Sequence, residues 1–378
     1  MRFENTTLGQ LSVGGKGNYG IAASAVPYSE NLLAYLRITD ISDQGTLKKQ
    51  SLMSVADENA DKYLLKPNDI VFARTGNSTG RNYFYDGTDG NFVYAGFLIK
   101  FSLDPQKVNP RYIKYYCKSS QYWNWVQSFN TGSTRGNINA QTYANMEIPL
   151  PPRDHQDFLV RLLSPLDDKI ELNQKISDNL QRQAQAVYQS WFIDFTPFGG
   201  AMPKSWKIAK LGDISTVTSG KRPPVKTGEK ANDLQIPLVG AASVMGYTNA
   251  VLYDAPILVT GRVGTHGVVQ RFCTPCWPSD NTLVITSRYY EFVHQVLQNI
   301  DYANMNRGST QPLITQTDLK NVKIVLPPSD TLDQFEIQVG QLMQLWEQKR
   351  IESEKLSALR DTLLPKLMSG EIKMKETP

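Results

Sequence analysis

Four glycine-rich polar stretches hold the residues best suited to chemistry in this chain. Arg74-Thr75-Gly76-Asn77-Ser78-Thr79-Gly80-Arg81-Asn82-Tyr83 follows a run that reads as a strand, and Gly261-Arg262-Val263-Gly264-Thr265-His266-Gly267 follows another. The other two are Asn130-Thr131-Gly132-Ser133-Thr134-Arg135-Gly136-Asn137 and Asn306-Arg307-Gly308-Ser309-Thr310-Gln311. Glycine lets backbone N–H groups approach a phosphate, and small hydroxyl side chains donate to phosphate oxygens. Arg, Asn and Gln can pair in bidentate fashion with base edges. The chemistry on offer is therefore the holding of a nucleic acid. Ordinary polar turns would explain any one loop, but both loop types occur in both halves of the chain. The candidate contacts are Arg74, Thr75, Asn77, Ser78 and Arg81, then Ser133, Thr134, Arg135 and Asn137. Arg262, Thr265 and His266, with Arg307, Ser309, Thr310 and Gln311, are their counterparts. Further candidates are Lys16, Asn18 and Tyr19 near the start of the first half, and Lys221 and Arg222 near the start of the second. The last two precede Pro223-Pro224, so a solvated turn explains them equally well.

Catalytic signatures do not emerge. The phosphate-loop pattern G-x-x-x-x-G-K-[ST] and the zinc-protease pattern H-E-x-x-H are absent. No Asn-Pro-Pro-aromatic or Asp-Pro-Pro-aromatic tetrapeptide is present, so an amino-methyltransferase site is not visible. Cys273-Thr274-Pro275-Cys276 has ligand spacing, but a structural zinc needs about four ligands. Cys117, His155, His266 and His294 supply no second pair. Redox use of C-x-x-C wants a helix N-terminus, which Trp277-Pro278 opposes. Buried or half-buried thiols in a strand and turn are expected instead.

The loops need elements to hold them, and the chain supplies these twice. Gly132-Ser133-Thr134 recurs as Gly308-Ser309-Thr310, and the same offset of 176 carries Ile138, Asn145, Ile148, Leu150 and Pro151-Pro152 onto Ile314, Asn321, Ile324, Leu326 and Pro327-Pro328. Leu8-Gly9 recurs as Leu211-Gly212 at an offset of 203, so the first half is longer between anchors. After each Pro-Pro comes a run of heptad spacing. Leu159, Leu163, Leu166, Ile170, Leu180, Ala184, Val187 and Trp191 form the first seam, interrupted at Asn173 and Ser177. Phe335, Val339, Leu342, Trp346, Leu356, Leu363 and Leu367 form the second, with polar Lys349 and Ser353 at the same two central steps. Each run predicts roughly 55 Å of helix at 1.5 Å per residue. Their shared register predicts two equivalent helices packed along each other; since each follows a globular block, they are expected to run antiparallel and hold the blocks apart, the polar steps setting register. Pro165 is expected to kink the first helix. Strands are predicted at Leu33 to Thr39, Ile70 to Arg74, Phe92 to Phe101, Ile257 to Thr260 and Leu283 to Thr286. Helices are predicted from Pro110 to about Gln127 and from Glu291 to about Ile300.

Composition fits this plan. Of 378 residues, 40% are hydrophobic and 20% charged, which excludes a disordered chain. The net charge of +4 divides unevenly: residues 1–150 carry +3, 151–202 carry −2, 203–326 carry +5 and 327–378 carry −2. Basic blocks thus alternate with acidic helices, which suits polyanion binding by the blocks. No stretch of 18 apolar residues is present, and the start Met1-Arg2-Phe3-Glu4 lacks the apolar core of a secretory signal. Three cysteines build no disulfide framework, so a cytoplasmic protein with no membrane contact is expected.

The order of parts resembles the specificity (S) subunit of type I restriction-modification systems. Each half has a Leu-Gly start, a variable block, a Gly-Ser-Thr loop, Ile-x-Leu-Pro-Pro and a long helix. Pro203-Lys204-Ser205-Trp206 before Leu211-Gly212-Asp213-Ile214 supports the resemblance, as do Ser190-Trp191-Phe192-Ile193-Asp194-Phe195 and Leu363-Leu364-Pro365-Lys366-Leu367-Met368-Ser369-Gly370-Glu371-Ile372. Cys276-Trp277-Pro278-Ser279-Asp280-Asn281-Thr282 is similar to a stretch of second recognition domains. The resemblance spans essentially the whole chain. It implies an α+β fold (mixed α/β), with target recognition domains at 1–150 and 196–326, spacer helices at 151–195 and 327–372, and a tail at 373–378. It implies a non-catalytic chain that reads a bipartite, asymmetric site on double-stranded DNA. The helices would dock two modification (methyltransferase) subunits, with restriction subunits joining through that core. S-adenosylmethionine would then bind the modification subunit, ATP and Mg the restriction subunit, and no cofactor this chain. A stand-alone DNA-binding protein without methyltransferase partners is the alternative.

Overall fold

The computed structural model describes residues 3–129, 136–263, 267–305 and 313–372. The chain divides into two compact units, Met1–Glu171 with Glu354–Pro378, and Leu172–Ser353.

In the first unit, β1 (Glu4–Thr7) is followed by β2 (Asn18–Tyr19), β3 (Ala25–Val26), β4 (Leu33–Leu36), β5 (Met53–Val55) and β6 (Asp69–Ala73). Then come β7 (Asn82–Tyr85), β8 (Phe92–Tyr94), β9 (Leu98–Ser102), α1 (Pro110–Tyr116), α2 (Ser120–Gln127), α3 (Ala140–Ala144) and β10 (Glu147–Leu150). Helix α4 (Arg153–Phe192) starts here and continues into the second unit. That unit holds β11 (Lys207–Lys210), β12 (Thr216–Ser219), β13 (Ile236–Val239), β14 (Val244–Thr248), β15 (Ile257–Gly261) and β16 (Gln270–Phe272). It continues with β17 (Trp277–Pro278), β18 (Thr282–Thr286), α5 (Tyr290–Gln298), α6 (Tyr302–Met305), α7 (Gln316–Lys320) and β19 (Lys323–Leu326). Helix α8 (Ser329–Met368) starts there and ends in the first unit.

The repeat read from the sequence is a repeat of topology. Antiparallel β1 and β10 pair Glu4 with Leu150, while β11 and β19 pair Lys207 with Leu326, so the offsets of 203 and 176 meet across one ladder. Sheet β2-β9-β6-β7 corresponds to β12-β18-β15-β16. The second sheet, β3-β5-β4-β8, corresponds to β14-β13-β17, and both contain one parallel pair, β4 with β8 and β13 with β17. Smaller details repeat as well. Ser12 Oγ donates to Leu8 O and Ser215 Oγ to Leu211 O, each at 2.7 Å.

Two predicted elements are broken by local chemistry. The run from Phe92 to Phe101 is two strands in different sheets, separated by a turn in which Leu98 N–H reaches Ala95 O at 2.8 Å. The helix predicted from Pro110 to Gln127 stops at Tyr116. Asn109 caps its start, and Ser119 Oγ accepts Tyr122 N–H at 3.3 Å to begin α2. The break lets Tyr112, Tyr115, Tyr116 and Tyr122 all face the first core with Phe72, Phe101 and Tyr143.

Both long helices run 40 residues, and α4 passes unbroken through Pro165. In the first unit His155 Nε2 meets Leu367 O at 2.9 Å, and Asp167 meets Arg360 at 3.0 Å. In the second, Asn173 meets Glu352 at 3.0 Å, and the Trp191 and Phe335 rings lie 5.9 Å apart. Within each unit the helices are therefore antiparallel. Leu159, Leu163, Leu180, Ala184, Phe335, Val339 and Leu367 of the seams are buried, and the other apolar seam residues are half-buried. Tyr188, Phe192, Leu332, Met343 and Leu364 are buried although the heptad pattern omits them. A straight helix drifts from a seven-residue repeat, and these helix ends pack on a mixed core as well as on each other. The polar centre has a partner the pattern missed: Glu352 accepts from Asn173 Nδ2 and from Lys349 Nζ at 2.9 Å. Asn173 is fully buried, so shifting the helices would strand its amide, which is how one polar residue specifies register.

Each unit also fastens its block to the helices by buried charge. In the first, Asp167 on α4 meets Lys114 and Lys118 at 3.4 Å, Arg360 of α8 at 3.0 Å and the Tyr115 hydroxyl at 3.0 Å. In the second, Glu336 of α8 accepts the N–H groups of Glu291 at 3.0 Å and Phe292 at 2.8 Å, capping α5. Arg271 on β16 forms a bidentate pair with Glu291.

Candidate nucleic-acid interface

The first unit gathers part of its predicted site where β6 ends. Strand β6 is buried throughout, so the chain emerges at Arg74 from a rigid base. Arg74 N–H donates to Phe97 O at 3.1 Å, and Arg74 O accepts Ile138 N–H at 2.9 Å. Thr75 pairs with Asn137 in an isolated bridge, and Thr79 Oγ1 donates to Gly136 O at 2.9 Å. Both polar loops are thus tied to one strand end. The Arg74 guanidinium lies 5.1 Å from the Tyr19 ring centroid, and Tyr19 Oη accepts Ala140 N–H at 3.2 Å. Such a cation–π contact is worth about 0.5–2 kcal/mol and holds the cation in place. Arg74 Nε is buried without a hydrogen-bond partner among the described residues. Lys16, Asn18, Tyr19 and Asn77 are exposed, and Thr75 is half-buried.

Two predicted contacts, Ser78 and Arg81, bond to each other. Arg81 Nε pairs with Asp43 at 2.6 Å, and Arg81 Nη1 donates to the buried Ser78 Oγ at 3.3 Å. Gly76-Asn77-Ser78-Thr79-Gly80 spells the G-x-S-x-G of a nucleophile elbow, but here it is a short 3-10 turn between strands, and among the described residues no histidine bonds to Ser78. Gly80 is needed there: its φ is +88°, and a Cβ would lie 2.5 Å from Val126 Cγ1.

The second unit repeats the backbone frame. Arg262 N–H donates to Asn281 O at 2.8 Å, Arg262 O accepts Ile314 N–H at 3.1 Å, and Val263 bridges Leu313. Lys221 and Arg222 project to solvent, while the Lys221 backbone is pinned by its N–H to Pro278 O and by Trp277 Nε1 to Lys221 O at 2.8 Å. Arg222 shares a cavity of about 400 Å³ with Lys226, Ser279, Asp280 and Asn281 over an apolar floor that includes Leu238 and Met245. Ser133, Thr134, Arg135, Thr265, His266, Arg307, Ser309, Thr310 and Gln311 lie outside the described residues.

Sequence reasoning missed Phe97, Lys226, Ser279 and Asn281. Lys226 carried a weak signal in its basic neighbourhood. Phe97 carried none, because its relation to Arg74 exists only through a sheet hydrogen bond. Cys276 is buried, which pushes its thiol up to about 12, whereas Cys273 is exposed rather than half-buried. No group of three potential metal-ligating side chains is found among the described residues. Nor, among them, is any helix long and apolar enough to cross a membrane.

Comparison with known proteins agrees with the duplicated frame. The family model for the type I restriction modification DNA specificity domain matches twice, at residues 24–182 and 203–360. The type I restriction enzyme MjaIX specificity subunit of Methanocaldococcus jannaschii is 25% identical, over 70% of this chain and 69% of that protein. The HindI specificity subunit of Haemophilus influenzae is 20% identical over 82% of this chain and 88% of its own. The crystal structure of the type I restriction-modification S subunit from M. genitalium has a TM-score of 0.64 at 19% identity, covering 97% of this chain and 96% of that one, which is a likeness of fold. Two matches to one domain model, each beside a copy of the same strand-end frame, place this chain in the family of type I restriction-modification specificity subunits, with two DNA specificity domains.

Proposed function

We propose that each unit reads one half of a split, asymmetric DNA site, and that the chain scaffolds the enzymes acting there without catalysis of its own. The duplicated frame carries this reading: Arg74 and Arg262 leave equivalent strands, and each is bonded on both sides by equivalent backbone groups. Two such frames in one chain suit two half-sites of different sequence, because the surrounding side chains differ. Helices α4 and α8 serve as the spacer and as the platform for two modification subunits, with restriction subunits joining through that core. S-adenosylmethionine belongs to the modification subunit, and ATP and Mg to the restriction subunit.

The test is a map of methylated adenines in cells carrying the intact system. Deleting one heptad from α4 and the facing heptad from α8 shortens each helix by about 10 Å. The expected result is a changed gap between half-sites with the half-site bases retained; an unchanged gap removes the spacer role. A second variant separates base reading from phosphate holding. Arg74→Ala is expected to relax one position of one half-site, at a cost of about 1–3 kcal/mol in discrimination. An equal loss at all positions, with a salt dependence of binding reduced by about one ion, makes Arg74 a phosphate contact instead.

A further inference from the structure

We infer that Phe97 and Asn281 occupy one equivalent position in the two units and set different base preferences there. This rests on the reading of the units as half-site readers. The equivalence comes from backbone bonds. Phe97 O accepts Arg74 N–H, and Asn281 O accepts Arg262 N–H. The residue after each starts the matching strand, and Leu98 O and Thr282 O accept the N–H groups of Gly20 and Gly220. Both glycines are required by close approach: a Cβ on Gly20 would lie 2.2 Å from Tyr94 O, and one on Gly220 would lie 2.2 Å from Ser279 O. Each position therefore sits on a fixed backbone beside the arginine of its frame.

The side chains at the two positions differ in chemistry. Phe97 is 56% exposed, a large ring held in water beside a basic strand end. An apolar ring of that kind meets the methyl group of thymine. Asn281 is exposed, and its carboxamide makes no hydrogen bond among the described residues. A free carboxamide reads adenine through its N6 and N7. Asn281 stands in the cavity with Arg222 and Lys226, neither of which is ion-paired among the described residues. Those cations suit phosphate at the rim, while the Asp280 carboxylate on the same wall discourages it on that side. The Ser279 hydroxyl, 4% exposed and without a partner among the described residues, lines the same space.

The experiment is the methylated-adenine map with the intact complex and four variants. Wild type is read first: if it shows no two-part site, the proposed function fails independently of this inference. With a two-part site, Phe97→Ala is expected to relax one T·A pair of one half-site, and Asn281→Ala one A·T pair of the other, by about 5- to 100-fold in discrimination. Phe97→Leu keeps an apolar side chain and should retain thymine. Asn281→Asp presents only acceptors and should shift preference toward cytosine, whose N4 is a donor. Relaxation in both halves, a uniform loss across the site, or unchanged preference with Asn281→Asp overturns the inference. Melting temperatures equal to wild type, expected for these exposed positions, exclude misfolding as the cause.

Discussion

Replacing Asp167 with asparagine will destabilise the protein by about 3–5 kcal/mol at pH 7, the usual cost of removing one partner from a buried ionic cluster. The side chain of Asp167 is 11% exposed, and Lys118 and Arg360 beside it are 16% and 13% exposed. Burial alone would raise the Asp167 carboxyl, yet Lys118, Lys114 and Arg360 together hold it well below the usual carboxylate range. Lys118 shows the opposite balance. Burial brings its ammonium down to about 8, and Asp167 is the chief group resisting that fall. Without the carboxylate, three cations of α1, its C-terminal flank and α8 face one another, and the first unit loses the contact joining its block to both helices. A group whose carboxyl is depressed in the fold stabilises above its unfolded value and loses that contribution in acid. The gap between wild type and Asp167→Asn should be full at pH 7 and close only below about pH 4. Urea denaturation at pH 3, 5 and 7 checks this, and a loss under about 1 kcal/mol at pH 7 would show the cluster to be ornamental.

Arg271→Met will cost about as much, about 3–5 kcal/mol, but with a different dependence on pH. Arg271 and Glu291 are 9% and 10% exposed, and the guanidinium also lies 4.8 Å from the Tyr290 ring centroid. Removing it leaves Glu291 buried beside Glu336. The carboxyl of Glu336 is already pushed up to about 7 by burial first and by Glu291, although it caps two backbone N–H groups of α5. A carboxyl raised in the fold contributes stability below its unfolded value and loses it as pH rises through the folded one. The Arg271→Met penalty should therefore grow as pH rises from 5 through 7 to 8. Across that range the Asp167→Asn penalty does not grow; it shrinks toward pH 8, because Lys118 without its carboxylate sheds its proton more easily. Denaturant midpoints of both variants at pH 5, 7 and 8 separate the two cases, and a pH-independent penalty for Arg271→Met would refute the charge account.

These clusters show where sequence pattern stops. The heptad spacing reveals that α4 and α8 are equivalent, because a helix seam leaves a periodic trace. It does not reveal Glu352 as the partner of Asn173, nor Asp167 as the ionic centre. Neither is on the seam, and Asn173 reaches Glu352, and Lys114, Lys118 and Arg360 reach Asp167, from distant segments. The break between α1 and α2 is signalled only by Ser119, an ordinary serine until its hydroxyl accepts Tyr122 N–H.

The recognition frame divides in the same way. Its duplication is legible because Leu8-Gly9 with Leu211-Gly212, and Ile-x-Leu-Pro-Pro in each half, must rebuild the same strand pair. The turn at Gly76-Asn77-Ser78 is legible because glycine and small polar residues tolerate it. Tyr19 under Arg74, 121 residues before the Ala140 N–H that its hydroxyl accepts, is not legible as a contact. Neither is the match of Phe97 to Asn281, since the two lie 23 and 19 residues after their arginines. Two similar blocks and two long helices are legible in the order of residues, because repeats and periodicity are properties of one dimension. Which side chains occupy equivalent places in the two blocks is visible only in three dimensions. That depends on which backbone groups cross-bond between strands, and a sheet hydrogen bond leaves no mark in the order of residues.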